Sequence, residues 1–193
     1  TYIGAGLRNK DARTWMFKGW NEVNVIRTIR KFCDQNDLFF VTKSRSKFPL
    51  VKEAYTLSDL VVTDQAPGTY PSEINELFSI ARLGVGYVSS SVLDAVSWKV
   101  PYINLDPGER SFMNEAHKAL YPTINGSQFS FEGVVWNYDI RQFIQQFGST
   151  HCADYLIDVD RFNQYVDQFF GSEGSGPAEK FYQVLESEQG KNL

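Results

Sequence analysis

The sequence predicts a three-layer α/β/α domain built on a mainly parallel sheet of about six strands. Short apolar runs rich in β-branched and aromatic residues recur along the chain, amphipathic helical patterns separate them, and most runs are continuous rather than alternating. A strand covered on both faces by helices has no solvent side to mark with polar residues, so it reads as unbroken apolar sequence. Strands and helices in alternation then close into a doubly wound, Rossmann-like sandwich with right-handed crossovers.

The strands fall at Tyr2 to Gly6, Leu38 to Thr42, Leu60 to Thr63, Leu83 to Val88, Pro101 to Leu105 and Gly133 to Trp136. Each is too short for a buried helix. After the first, Val25, Ile29, Phe32 and Cys33 recur at i, i+4, i+7 and i+8, which predicts an amphipathic helix from about Asn21 to Gln35 with Arg27, Arg30 and Lys31 toward water. Ile74, Leu77, Phe78 and Ala81 repeat the device, with Pro71 and Ser72 as the start signal. A third helix begins at the serines of positions 89–91 and runs through Val92, Leu93, Ala95, Val96 and Trp98 until Pro101 stops it. Being apolar almost all round, it should be deeply buried. Tyr138 to Phe147, Val159 to Phe170 and Pro177 to Leu185 read as further helices, with Gly171 to Gly176 as a joint. Phe162, Tyr165, Phe169 and Phe170 form a core-facing stripe on the second of these.

The chain of 193 residues has the size of one domain, taken here as residues 1–193. With 42% hydrophobic and 22% charged residues it is a globular rather than a disordered sequence. A net charge of −4 argues against a general nucleic-acid binder, which needs a basic surplus to neutralise phosphates. Cys33 and Cys152 are too few for a disulfide framework and point to a reducing compartment; His117 and His151 stand too far apart to predict a metal site. Adjacent His151 and Cys152 point in different directions, so a nucleophile and base there are not expected. No apolar run approaches the ~18 residues of a spanning helix, no signal-peptide pattern opens the chain, and Thr1 in place of Met points to a cut or processed chain.

In an open parallel sheet, ligands bind beyond the carboxyl ends of the strands, near the switch in strand order. The residues to read there are Arg8 after the first strand, Lys43, Ser44, Arg45 and Lys47 after the second, Asp64 and Gln65 after the third, Ser89, Ser90 and Ser91 after the fourth, and Asp106, Pro107 and Gly108 after the fifth. Three small hydroxyl residues at a strand-to-helix junction let a backbone approach an anion and aim N–H groups at it, which fits a diphosphate. A plain structural reading also stands: Ser91 caps the helix, with Asp94 as the acidic partner of a capping box. Asp94 fits ribose hydroxyls one turn further on, or a helix-start acid favoured by the dipole. Lys43 and Arg45 are placed to neutralise phosphates, or to be solvated loop charge. Arg8 follows Gly4 and Gly6, but GAGLRN lacks the six-residue glycine fingerprint of dinucleotide binders.

The stretch from Leu77 through Leu83-Gly-Val-Gly-Tyr-Val-Ser-Ser-Ser-Val-Leu-Asp94 to Val100-Pro-Tyr-Ile-Asn-Leu105 resembles the nucleotide-binding half of two-domain, GT-B-type bacterial glycosyltransferases with twin Rossmann-like domains. It is most similar to the CDP-glycerol glycerophosphotransferase and surface-polysaccharide type, and more distantly to nucleotide-sugar 2-epimerases. The resemblance implies that Ser89 and Ser90 grip the donor diphosphate and that Asp94 holds ribose. Where the family usually carries Lys-x-His-Pro this chain has Lys43-Ser-Arg-Ser-Lys47, so on this resemblance a histidine role on the phosphate would have to pass to Arg45. Gly174-Ser-Gly-Pro-Ala-Glu resembles the entry to the family's last helix.

The resemblance further implies a CDP- or UDP-linked donor as substrate and no permanently bound cofactor. It implies a missing N-terminal acceptor domain that supplies the catalytic base, and a polysaccharide or lipid-linked acceptor. The place of work would be the cytoplasm, peripheral at the inner face of the bacterial membrane, and the domain alone would bind nucleotide without turnover. Two other readings are an interaction domain that kept the fold without the ligand, and a relative of the epimerases.

Overall fold

The computed structural model of the protein describes residues 1–3, 22–44, 50–63, 73–106 and 124–171. Six strands form one sheet: β1 Tyr2–Ile3, β2 Val41–Ser44, β3 Leu60–Thr63, β4 Gly84–Gly86, β5 Tyr102–Asp106 and β6 Val135–Asp139. Their order is β3-β2-β1-β4-β5-β6, and every ladder between them is parallel. The helices are α1 Glu22–Gln35, α2 Lys52–Leu57, α3 Glu73–Ile80, α4 Ser91–Ser97, α5 Ile140–Gln146 and α6 Val159–Phe169. The predicted three-layer, Rossmann-like architecture is therefore the one observed.

The pleat sorts side chains onto two faces. Under α1, α2 and α5, Tyr2, Val85 and Ile103 of the row that begins at Thr42 meet Ile26, Phe32, Phe143 and Phe147 in one buried cluster, with Trp136 packed against it. Phe147 stacks on Phe32 with ring centroids 4.3 Å apart and on Phe143 at 4.4 Å. Under α3, α4 and α6, a second cluster gathers Phe78, Val92, Val96, Tyr102, Val135 and Tyr165. Cys33 belongs to the first cluster, where burial pushes its thiol up to about 11 and keeps it protonated at neutral pH.

Several element boundaries differ from the sequence expectation for identifiable reasons. β2 starts at Val41, with the Phe40 N–H taken by the Asp59 carboxylate at 2.6 Å, and its ladder with β3 pairs Lys43 with Val62 and Ser44 with Thr63, so both lie inside the strand rather than after it. β5 includes Asp106, and β6 runs on through Tyr138, since the register pairs Leu105 with Tyr138 and Asp106 with Asp139. The helix expected from Tyr138 begins only at Ile140, where Asp139 accepts from Arg141 N–H at 2.8 Å and Gln142 N–H at 3.4 Å as a true N-cap.

α2 has only six residues, too few to declare a period, and goes unread in the sequence. α4 is buried on one face, through Val92, Ala95 and Val96, and not all round: Trp98 at its end is 49% exposed. A left-handed Lys99 (φ 54°) and the bond from Val100 N–H to Ala95 O close that helix before Pro101. The aromatic stripe of α6 does face inward at Tyr165, with Phe170 left partly exposed. The helix expected at Pro177 to Leu185, and the joint beyond Gly171, lie outside the described residues.

Candidate functional site

The strand order reverses between β1 and β4, so the carboxyl ends of these strands flank the crevice where such sheets bind ligands. Two helices start there. α1 opens with Glu22, a carboxylate only 5% exposed that accepts from Tyr2 Oη at 3.4 Å. Burial and this carboxylate together hold the Tyr2 hydroxyl well above the usual phenol range. The start of α1 thus carries a buried acidic side chain. The junction of β4 and α4 instead carries the neutral serines.

These serines have three different situations. Ser90 occupies the N-cap position in helical backbone (φ −55°, ψ −16°) with no side-chain capping bond, and its side chain is exposed. Ser89 Oγ, partly exposed, accepts from Ser91 N–H at 3.3 Å, and Ser89 O accepts from Val92 N–H at 3.1 Å. Ser91 is buried and its hydroxyl pairs with Tyr102 Oη at 2.9 Å. Ser91 therefore does not cap α4, contrary to the structural reading of the sequence. It is the first residue inside the helix, and the buried phenol of Tyr102 requires its hydroxyl.

Tyr102 reaches Ser91 by lying along β4, which explains two glycines the sequence reading left without a role. A Cβ at Gly84 would stand 2.6 Å from Tyr102 Cδ2, and one at Gly86 would collide with Tyr102 Oη. Glycine inside a strand marks such a close approach, and this pair was the legible signal for it. Beyond Gly86, the row on this face continues into polar residues: Lys43 pairs in register with Ile3, Gly86 with Asn104, and Asn104 with Asn137.

Lys43 is buried. Its ammonium donates to Ser44 O at 3.0 Å and faces the Glu73 carboxylate of α3 at 3.6 Å, so much of its charge is balanced within the protein. Asp94, in the first turn of α4, is half-buried, and no hydrogen bond or ion pair holds its carboxylate among the described residues. Burial raises its pKa above the usual carboxylate range. Asp106 ends β5 and accepts from Asn137 Nδ2 at 3.4 Å. Arg8, Arg45, Lys47, Asp64, Gln65, Pro107, Gly108 and His117 lie outside the described residues. The structure thus brings Ser89, Ser90, Asp94, Asn104 and Asp106 to one end of the sheet, and Asn104 is the member that sequence reasoning missed. An Asn within an apolar strand, in Tyr102-Ile-Asn-Leu-Asp106, was the available signal.

At the opposite, amino end of the sheet lies an apolar groove of about 220 Å³ lined by Phe32, Leu38, Phe40, Leu77 and Leu83. It touches none of the predicted site residues. His151 is exposed, and Cys152 N–H donates to Asn36 Oδ1 at 2.8 Å, an arrangement that ties down a loop. No described helix is long and apolar enough to cross a membrane.

Fold and site together define a Rossmann-like α/β domain with a polar strand-end cluster at the switch in strand order. No family model, curated protein or solved structure matches the chain.

Proposed function

We propose that this domain binds a nucleotide diphosphate, as the donor-binding part of a transferase that uses a CDP- or UDP-linked sugar or polyol. The observation that carries the reading is the half-buried Asp94 carboxylate, which has no hydrogen-bond or ion-pair partner among the described residues. It stands one turn beyond the exposed hydroxyl of Ser90, at the ligand-binding end of the sheet. A carboxylate that loses water without gaining a partner is costly unless a ligand completes its hydrogen bonds, and ribose hydroxyls are donors of the right kind.

In this reading Ser89 and Ser90 donate to the diphosphate, Asp94 accepts from ribose, and Ser91 supports the turn from inside. Lys43 contributes a shielded positive field, with Arg45, Arg8 and Asp106 as accessory groups. Orientation of the donor and stabilisation of its departing diphosphate are the work of this domain. An acceptor-binding domain would bring the polysaccharide or lipid-linked acceptor and the base.

The test is thermal unfolding with CDP, UDP and GDP. A ligand at a hundred times its dissociation constant adds about 2.7 kcal/mol of stability, a clear rise in Tm that Ser90→Ala and Asp94→Ala should each reduce. A second reading, an interaction domain without a ligand, is favoured by the internal commitment of Ser91 to Tyr102 and of Lys43 to Ser44 and Glu73. No shift with any of the three nucleotides selects it.

A further inference from the structure

Asn104, Asn137 and Asp106 form a hydrogen-bond chain whose direction is fixed at both ends. Val88 N–H donates to Asn104 Oδ1 at 2.8 Å, which leaves Asn104 Nδ2 to donate to Asn137 Oδ1 at 2.7 Å. Asn137 Nδ2 then donates to Asp106 Oδ2 at 3.4 Å. With a main-chain donor at one end and a carboxylate at the other, each amide has a single satisfying orientation. Asn104 is fully buried, where an apolar side chain would cost less to desolvate. What an apolar residue could not do is hold the Val88 N–H, and Val88 is the residue immediately before Ser89.

We infer that Asn104 and Asn137 are positioning residues, which lock the turn from β4 to α4 and the Asp106 carboxylate into one fixed geometry. The two amides are neighbours in register on the adjacent strands β5 and β6, so the lock is built on paired strands rather than on a loop. Gly86, in register with Asn104, keeps the row flat where the Tyr102 ring ends. The ligand-binding consequence rests on the nucleotide reading; the locking of the turn does not.

The experiment combines amide hydrogen exchange of Val88, Ser89 and Ser90, with Ile103 as the core reference, and calorimetric titration with CDP and UDP. Asn137 is only half-buried, so Asn137→Ala should fold; Asp106→Asn, at a strand end, is the second variant should it not. Loss of the chain is expected to speed Val88 exchange about tenfold or more while Ile103 stays unchanged. Nucleotide affinity should fall about tenfold, which corresponds to 1.4 kcal/mol. Unchanged Val88 exchange in a folded variant overturns the inference, whether or not the protein binds nucleotide. Faster exchange with undiminished affinity overturns the positioning role and leaves the nucleotide reading standing. A wild type that binds neither CDP nor UDP removes the nucleotide reading, and the exchange data then decide the lock by themselves.

Discussion

The two faces of the sheet are built from adjacent rows of the same strands and follow opposite rules. On the α1, α2 and α5 face, Tyr2, Val85, Ile103 and Trp136 continue into a stack of Phe32, Phe143 and Phe147, and the packing is almost wholly apolar. On the α3, α4 and α6 face the next row sets Lys43 beside Ile3 at one side and Gly86, Asn104 and Asn137 in register at the other. The polar groups of this row are taken up inside the protein, Asn104 by the Val88 N–H and Lys43 by Ser44 and Glu73. A sheet needs apolar packing on both faces for stability, so the polar row lowers the stability available on its side. Its polar residues gather toward the carboxyl ends of the strands, where Asn104 and Asp106 of β5 meet Asn137 and Asp139 of β6.

The sharpest break of this contrast is to remove an anchor from the apolar face. Phe147→Ala deletes a buried ring that stacks on two others and should cost about 3–5 kcal/mol in denaturant unfolding, without moving the residues at the strand ends. Gly84→Ala on the opposite face should cost about 1–3 kcal/mol by overpacking against Tyr102. Gly86→Ala is expected to cost a similar amount, and Tyr102→Phe should relieve most of it by removing the phenol oxygen. The two substitutions then couple rather than add, which a double-mutant cycle reads directly. Alone, Tyr102→Phe leaves the buried Ser91 hydroxyl without its partner and should cost about 1 kcal/mol.

Asp94→Asn separates binding from folding through its sign. A carboxyl whose folded pKa is raised favours the folded state when protonated, and that contribution is lost as pH rises through the folded pKa. Wild type therefore carries a small penalty at neutral pH that Asp94→Asn removes. Tm should rise slightly at pH 7 and lose part of its dependence in the acid range, while nucleotide binding weakens. The smallest effect is at the end of α4. Lys99 holds φ 54°, so Lys99→Gly should stabilise the protein by about 0.5–1 kcal/mol in the same unfolding assay.

Much of the fold is legible in the sequence because parallel strands read as continuous apolar runs, and each of the six described strands overlaps such a run. Boundaries were lost where side-chain capping decides them. Asp139 and Asp59 each take backbone N–H groups where an element starts, and residue type alone does not announce such bonds. The candidate site was legible as a list of strand ends, not as a set of roles. Ser89, Ser90 and Ser91 look alike in sequence, yet only a long-range partner, Tyr102, separates the buried hydroxyl from the exposed one. Asn104 went unread for the same reason: its function is a contact with Val88, sixteen positions away.

The central claim is that the polar strand-end cluster, and not the apolar groove at the other end of the sheet, is where this protein takes a ligand. Backbone amide chemical-shift mapping during titration with CDP and then UDP tests it most directly. The expected result is a set of saturable shifts at Val88, Ser89, Ser90, Asp94 and Asp106. Shifts confined to Leu38, Phe40 and Leu83 around the groove, or no shifts with either nucleotide, would contradict it.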